Sequence, residues 1–203
     1  MFQRPVRVIL LGLLLAFLIA GGITARPDSE ATEPAPEPSG PITGLAVDAA
    51  DGNLLMVRGG LFRSADQGKT WSAVSFPSRF HPDKLRQVAT TTAVPDSLYT
   101  AGPGAGILRS NDGGESWDLV SDGLPSQDVG AFAVHSFRPD TLYAWIEEGI
   151  FRSEDGGGRW EKMDAGPPTS VVTLVHSTLE GSMDTGWLYA ATPDGPYLSM
   201  DCF

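Results

Sequence analysis

The chain has 203 residues, 41% of them hydrophobic and 19% charged, which is too apolar for a disordered chain and sized for one to two domains. Acidic residues outnumber basic ones 25 to 14, and the resulting net charge of −11 repels phosphate backbones and excludes nucleic acid as a partner. A single cysteine, Cys202, excludes an internal disulfide and any zinc site built on thiolates.

Arg4 and Arg7 precede thirteen residues without a polar side chain, Val8 to Ala20. A charged start followed by an apolar run is the pattern of a secretory signal, and the uncharged stretch to Ala25 just reaches the length of a membrane-spanning helix. Residues 1–25 are therefore expected to be a hydrophobic helix acting as a cleaved signal peptide or as an uncleaved transmembrane anchor. Both readings place the rest outside the cytoplasm, secreted or membrane-anchored, because the arginines hold the N-terminus inside. If uncleaved, residues 8–25 make the membrane a partner. Residues 26–40 hold four prolines and four acids among few apolar side chains, and read as an extended linker.

From residue 41 one motif dominates. Ser64-Ala-Asp66-Gln-Gly68-Lys-Thr-Trp71, Ser110-Asn-Asp112-Gly-Gly114-Glu-Ser-Trp117 and Ser153-Glu-Asp155-Gly-Gly157-Gly-Arg-Trp160 all obey S-x-D-x-G-x-x-W, with serines 46 and 43 residues apart. Short apolar runs precede each box at matching offsets: Ile42–Val47, Leu85–Thr91, Val129–Val134 and Val171–Val175, then Leu54–Val57, Leu98–Ala101, Leu142–Trp145 and Trp187–Ala190, then Gly60–Arg63, Gly106–Arg109 and Gly149–Arg152. Four short strands per unit of about 45 residues is the signature of a propeller blade. The expected architecture is all-β: a β-propeller with blades at about 41–79, 80–126, 127–169 and 170–203, and essentially no helix after the linker. Within each box the aspartate is expected to accept from a backbone N–H two residues on, the glycine to take a positive φ, and the tryptophan to start the outermost strand and fold over the turn. These twelve residues read as structural. The fourth unit keeps register at Ser199 but reaches Cys202-Phe203 where its box should continue, so it is expected to lack an outer strand, as in a truncated fragment or a chain that completes its ring with other copies.

The boxes resemble the Asp-box, or BNR, repeats of sialidases, sortilin-type receptors, xyloglucan-degrading hydrolases and photosystem II assembly factors. The resemblance covers about residues 41–201, and it implies a sialidase-like superfamily propeller without fixing a function. A sialidase would need three converging arginines. Arg63, Arg109 and Arg152 occupy the same place in each repeat and should spread around a ring. No catalytic residue, cofactor or metal is expected. Propeller ligands usually meet the face opposite the boxes, which puts Arg58, Glu147, Glu148 and Asp194 on a possible ligand face for an unknown protein or glycan ligand. His135 and His176, both just after first strands, are expected to be equivalent turn residues. The leading expectation is an exported binding or scaffold module. The alternatives are a fragment of a xyloglucanase- or sialidase-like glycoside hydrolase and an assembly factor resembling the photosystem II type.

Overall fold

The structure, a computed structural model, describes residues 38–177 and 186–199. The expected signal or anchor at 1–25, all but the last three residues of the linker, and the chain after Ser199 lie outside the described residues. Among those described, no helix is long and apolar enough to cross a membrane.

Four antiparallel sheets follow one another along the chain. The first is β1 (Gly44–Val47), β2 (Leu54–Val57), β3 (Leu61–Ser64) and β4 (Ser72–Ala73). The second is β5 (Gln87–Thr90), β6 (Leu98–Gly102), β7 (Gly106–Ser110) and β8 (Asp118–Leu119). The third is β9 (Ala131–Val134), β10 (Leu142–Ile146), β11 (Gly149–Ser153) and β12 (Glu161–Lys162). The fourth has three described strands, β13 (Thr173–Ser177), β14 (Trp187–Thr192) and β15 (Gly195–Ser199). Each sheet is a meander in spatial order 1-2-3-4, so every connection is a short turn and no crossover helix is needed. One 3-10 turn at Pro82–Lys84 is the whole helical content of the described residues.

The sheets stack face to face through their inner strands β1, β5, β9 and β13, which makes a four-bladed propeller array. Side chains alternate across each sheet, so every blade has a face toward the preceding blade and one toward the following blade. Leu55, Val57 and Leu61 of the first blade bury against Leu98, Leu108 and Trp117 of the second. Tyr99, Ala101 and Ile107 of the second meet Phe132, Leu142, Phe151 and Trp160 of the third. Ala133, Tyr143 and Ile150 of the third meet Leu174, Leu188 and Ala190 of the fourth. The core is therefore three inter-blade layers in series, the arrangement of a repeat protein in which each unit contacts its neighbours only.

Polar bonds fix the same junctions. The Thr90 hydroxyl donates to Val47 O (2.8 Å). Gln87 spans the second junction twice, donating to Gly130 O and accepting from Phe132 N–H, each at 2.9 Å.

Strand register corrects one sequence expectation. The pairs Val134↔Leu142↔Ser153 and His176↔Leu188↔Ser199 place His176 inside β13, at the position of Val47, Thr90 and Val134. His135 lies one residue beyond its strand and is equivalent to Ser177, so the two histidines are not repeat partners. They stack across the third junction, ring centroids 3.9 Å apart. Each accepts at Nδ1 from backbone N–H groups: His135 from Phe137 and Arg138, His176 from Ser136. A ring nitrogen that accepts from N–H carries no proton, so both rings are neutral with the proton on Nε2.

Candidate functional site

Each box is a closed hydrogen-bonded hairpin. Ser64 Oγ donates to Asp66 Oδ1 (2.8 Å) and accepts from Gly68 N–H (2.7 Å). Asp66 Oδ1 also accepts from Thr70 N–H (2.8 Å), and Oδ2 from the Thr70 hydroxyl (2.7 Å). Ser110, Asp112, Gly114 and Ser116 repeat the set, and Ser153, Asp155, Gly157 and Arg159 repeat its backbone part. The aspartate thus reaches the N–H four residues on, while the serine hydroxyl takes the glycine N–H. The serine hydroxyl, buried at the strand end, both donates and accepts within the one turn.

The aspartates are held ionised by these donors. Bonds from the Thr70 backbone and hydroxyl lower Asp66 from 3.8 to about 2. Bonds from Ser110 and Ser116 push Asp112 well below the usual carboxylate range, and the Arg159 backbone with the Ser153 hydroxyl lowers Asp155. A folded value below the unfolded one means the contribution to stability is complete above pH 3.8 and is lost as pH falls toward about 2. The Asp66 carboxyl carbon is therefore expected to titrate near pH 2 in a carbon-detected NMR titration, against 3.8 in the unfolded chain. Asp66→Asn should flatten the dependence of unfolding free energy on pH between those values. An Asp66 midpoint at the unfolded value would show that these bonds do not form.

Arg63, Arg109 and Arg152 do not converge. Arg63 Nη2 donates to Asp48 Oδ2 in its own blade (2.9 Å) and to Gly113 O in the next box (2.7 Å). Arg109 points at Asp140 of the following blade (4.0 Å), and Arg152 pairs with Glu154 (3.3 Å). Arg63 and Arg109 thus reach from one blade to the next, which takes them away from any shared ligand. Tyr99 acts similarly, its hydroxyl donating to Pro139 O of the third blade (3.1 Å).

On the ligand face read from sequence, Arg58, Glu147-Glu148 and Asp194 lie in the β2–β3, β10–β11 and β14–β15 turns. Arg58 Nε donates to Gly40 O (2.6 Å), which ties down the end of the linker. Glu147, Glu148 and Asp194 are exposed, and their carboxylates enter no ion pair or hydrogen bond among the described residues. No hydrogen bond or ion pair joins these four residues to one another. No group of acids, histidines or cysteine suited to a metal occurs among the described residues.

Two cavities stand out. One of about 410 Å³ runs along the inner strands, between Leu45, Ala89, Val134 and Val175. Another of about 600 Å³ lies between the third and fourth blades, bounded by Arg152, Lys162, Met163, Tyr197 and Leu198. It occupies the place that Trp117 and Trp160 fill at the two earlier junctions. The sequence foretold that the fourth unit would stop short of its box tryptophan, but not that an open cavity would lie at that junction.

The BNR/Asp-box repeat family model matches residues 62–73, which is the end of β3 and the first box. No curated protein matches the chain by sequence. Among solved structures, the GH74 xyloglucanase from Xanthomonas campestris superposes with a TM-score of 0.60 at 23% identity, over 81% of this chain and 29% of that one. YCF48 from Cyanidioschyzon merolae gives 0.57 at 19%, over 82% of this chain and 56% of that one. The extracellular domain of BT4673 from B. thetaiotaomicron gives 0.57 at 14%, over 81% and 21%. The chain thus spans well under a third of the xyloglucanase and little more than half of YCF48. At these identities the likeness is one of fold: Asp-box repeats building a β-propeller array.

Proposed function

We propose that this chain is an extracytoplasmic binding module that receives a basic protein segment on the blade turns opposite the Asp boxes and catalyses nothing. The observation that carries the reading is the set of exposed carboxylates of Glu147, Glu148 and Asp194, which no group among the described residues engages, on a protein of net charge −11. Such a surface attracts cationic partners and steers their encounter. The arginines and tyrosines that a sialidase-type reading would draw on are repeat positions, and Arg63, Arg109 and Tyr99 are spent on inter-blade bonds. YCF48, which shares the fold, has been seen bound to D1 peptide. The export reading adds the charged start and apolar run at 8–20, and BT4673 supplies an extracellular example of the fold.

The test is a synthetic peptide array carrying Lys/Arg-rich and Lys/Arg-free sequences, probed with the full chain. Binding should favour the basic peptides and fall as salt is raised from about 50 to 300 mM. The double variant Glu147→Gln/Glu148→Gln should weaken it about fivefold or more, since rim charges act mainly on encounter and register. Hydrolysis of xyloglucan or of a sialoside by the unaltered chain, lost in that double variant, would establish the hydrolase reading instead.

A further inference from the structure

The two end faces of the array are exposed, and strand register shows what each is shaped to meet. On the first blade, Leu45 occupies the place of Val88, Phe132 and Leu174, and Val47 the place of Thr90, Val134 and His176. Phe132 and Leu174 are each 4% exposed because the preceding blade covers them, whereas Leu45 is 65% exposed. The indoles report the same difference. Trp160 Nε1–H donates to Val120 O of the preceding blade (3.0 Å), and Trp117 is fully covered and stacked on Phe76 of the preceding blade. Trp71 has no preceding blade among the described residues, and its Nε1–H turns back to Gly68 O of its own box (3.1 Å). With Ile42, Leu45 and Met56 it lines a groove of about 680 Å³.

The far face of the fourth blade is the counterpart. Val175 takes the place of Ala46, Ala89 and Ala133, Tyr189 that of Tyr99 and Tyr143, and Leu198 that of Arg63, Arg109 and Arg152. Tyr99 and Tyr143 are buried under the next blade, but Val175 is 53% exposed, and Leu198, in the same row across Tyr189, is exposed as well. Replacing the arginine by leucine makes this the one far face whose third-strand position is apolar. A leucine there needs no carbonyl from a neighbouring box, unlike Arg63, which takes that of Gly113.

We infer that these faces pair between two copies of this chain, the far face of the fourth blade of one copy against the leading face of the first blade of the other. The occupant is argued from the molecule's own junctions: all three internal interfaces join a far face to a leading face. The two unpaired faces of the described residues are one of each kind, and a second copy supplies both without a partner of different chemistry. Each added junction buries a layer like the three already present. With both formed, eight sheets close on themselves around a two-fold axis, an assembly that leaves no apolar end face and does not grow. This goes beyond the proposed ligand role and uses none of its residues.

The experiment is sedimentation equilibrium of the full chain in a mild detergent, with Leu45→Glu and Val175→Glu. Both side chains are on the surface, and far-ultraviolet circular dichroism checks that each variant keeps its sheet. The unaltered chain should run at twice its 21.5 kDa mass and each variant alone as a monomer. An equimolar mixture of the two variants should recover a dimer, since one intact leading face and one intact far face remain. A Val175→Glu variant that still dimerises alone would mean leading face on leading face, and a Leu45→Glu variant that does so would mean far face on far face. Each of those outcomes overturns the proposal. So does a monomeric unaltered chain, which would leave the end faces to other segments or further blades, and so does association untouched by both variants, which would come from residues 8–20.

Discussion

Gly157→Ala is expected to destabilise the chain by about 3 kcal/mol or more, from overpacking at a contact that cannot move together with left-handed backbone strain. Gly157 has φ +96°, and an added Cβ would lie 2.1 Å from Val120 O and 2.7 Å from Val120 Cβ. Val120 directly follows the outer strand of the second blade, and its carbonyl also accepts the Trp160 indole N–H. The methyl group would therefore have to push apart two blades and break that bond. One position earlier in the box a left-handed side chain is borne, since Gln67 sits at φ 63° where the other boxes have Gly113 and Gly156. The control is Gly113→Gln, which copies the first box into the second at a site where an added Cβ meets nothing within 4 Å. It should cost about 1 kcal/mol, the usual penalty for a left-handed side chain. Urea unfolding midpoints at unchanged slope would compare the two, and equal losses would refute an inter-blade role for Gly157.

The contrast between these glycines marks how far the sequence could be read. The period and the S-x-D-x-G-x-x-W spacing foretold four sheets and the near absence of helix, because a hairpin held by its own side chains is a local object. What a period cannot show is which residue of one repeat touches which residue of the next. Gln87 clasping Gly130 and Phe132, and Arg63 reaching Gly113, lie 43 to 50 residues from their partners and depend on blade stacking. The one available signal was that the arginine recurs on a strand that is otherwise buried, which calls for a fixed acceptor. The histidines misled for a related reason. Each follows directly on its apolar run, which made them equivalent, but β13 begins and ends two residues later than the run Val171–Val175 suggests, and strand register rather than spacing decides which face a side chain takes. At the ligand face, the sequence named exposed carboxylates and the structure leaves them unengaged. Recognition there depends on a partner's shape, about which a single chain carries little information.

The tryptophans offer a graded test of the series of junctions. Trp117 is 1% exposed and Trp160 9%, and truncating a buried indole to alanine typically costs about 3–5 kcal/mol. Trp117→Ala and Trp160→Ala should both fall in that range. Trp71→Ala should cost about 1 kcal/mol at concentrations where the chain is monomeric, because its ring is only partly buried and its N–H bonds within its own box. Phenylalanine separates the two buried sites. Trp160→Phe removes the bond to Val120 O and leaves that carbonyl underused, an extra loss of about 1–2 kcal/mol. Trp117→Phe removes an indole N–H that is buried without a partner, so part of the lost packing is offset and stacking on Phe76 is kept. The expected order of destabilisation in urea is Trp160→Phe above Trp117→Phe, with both alanine variants well above Trp71→Ala. Equal costs at all three alanine sites would mean that the indoles serve their own hairpins only, and the account of blades locking each other in sequence would fail.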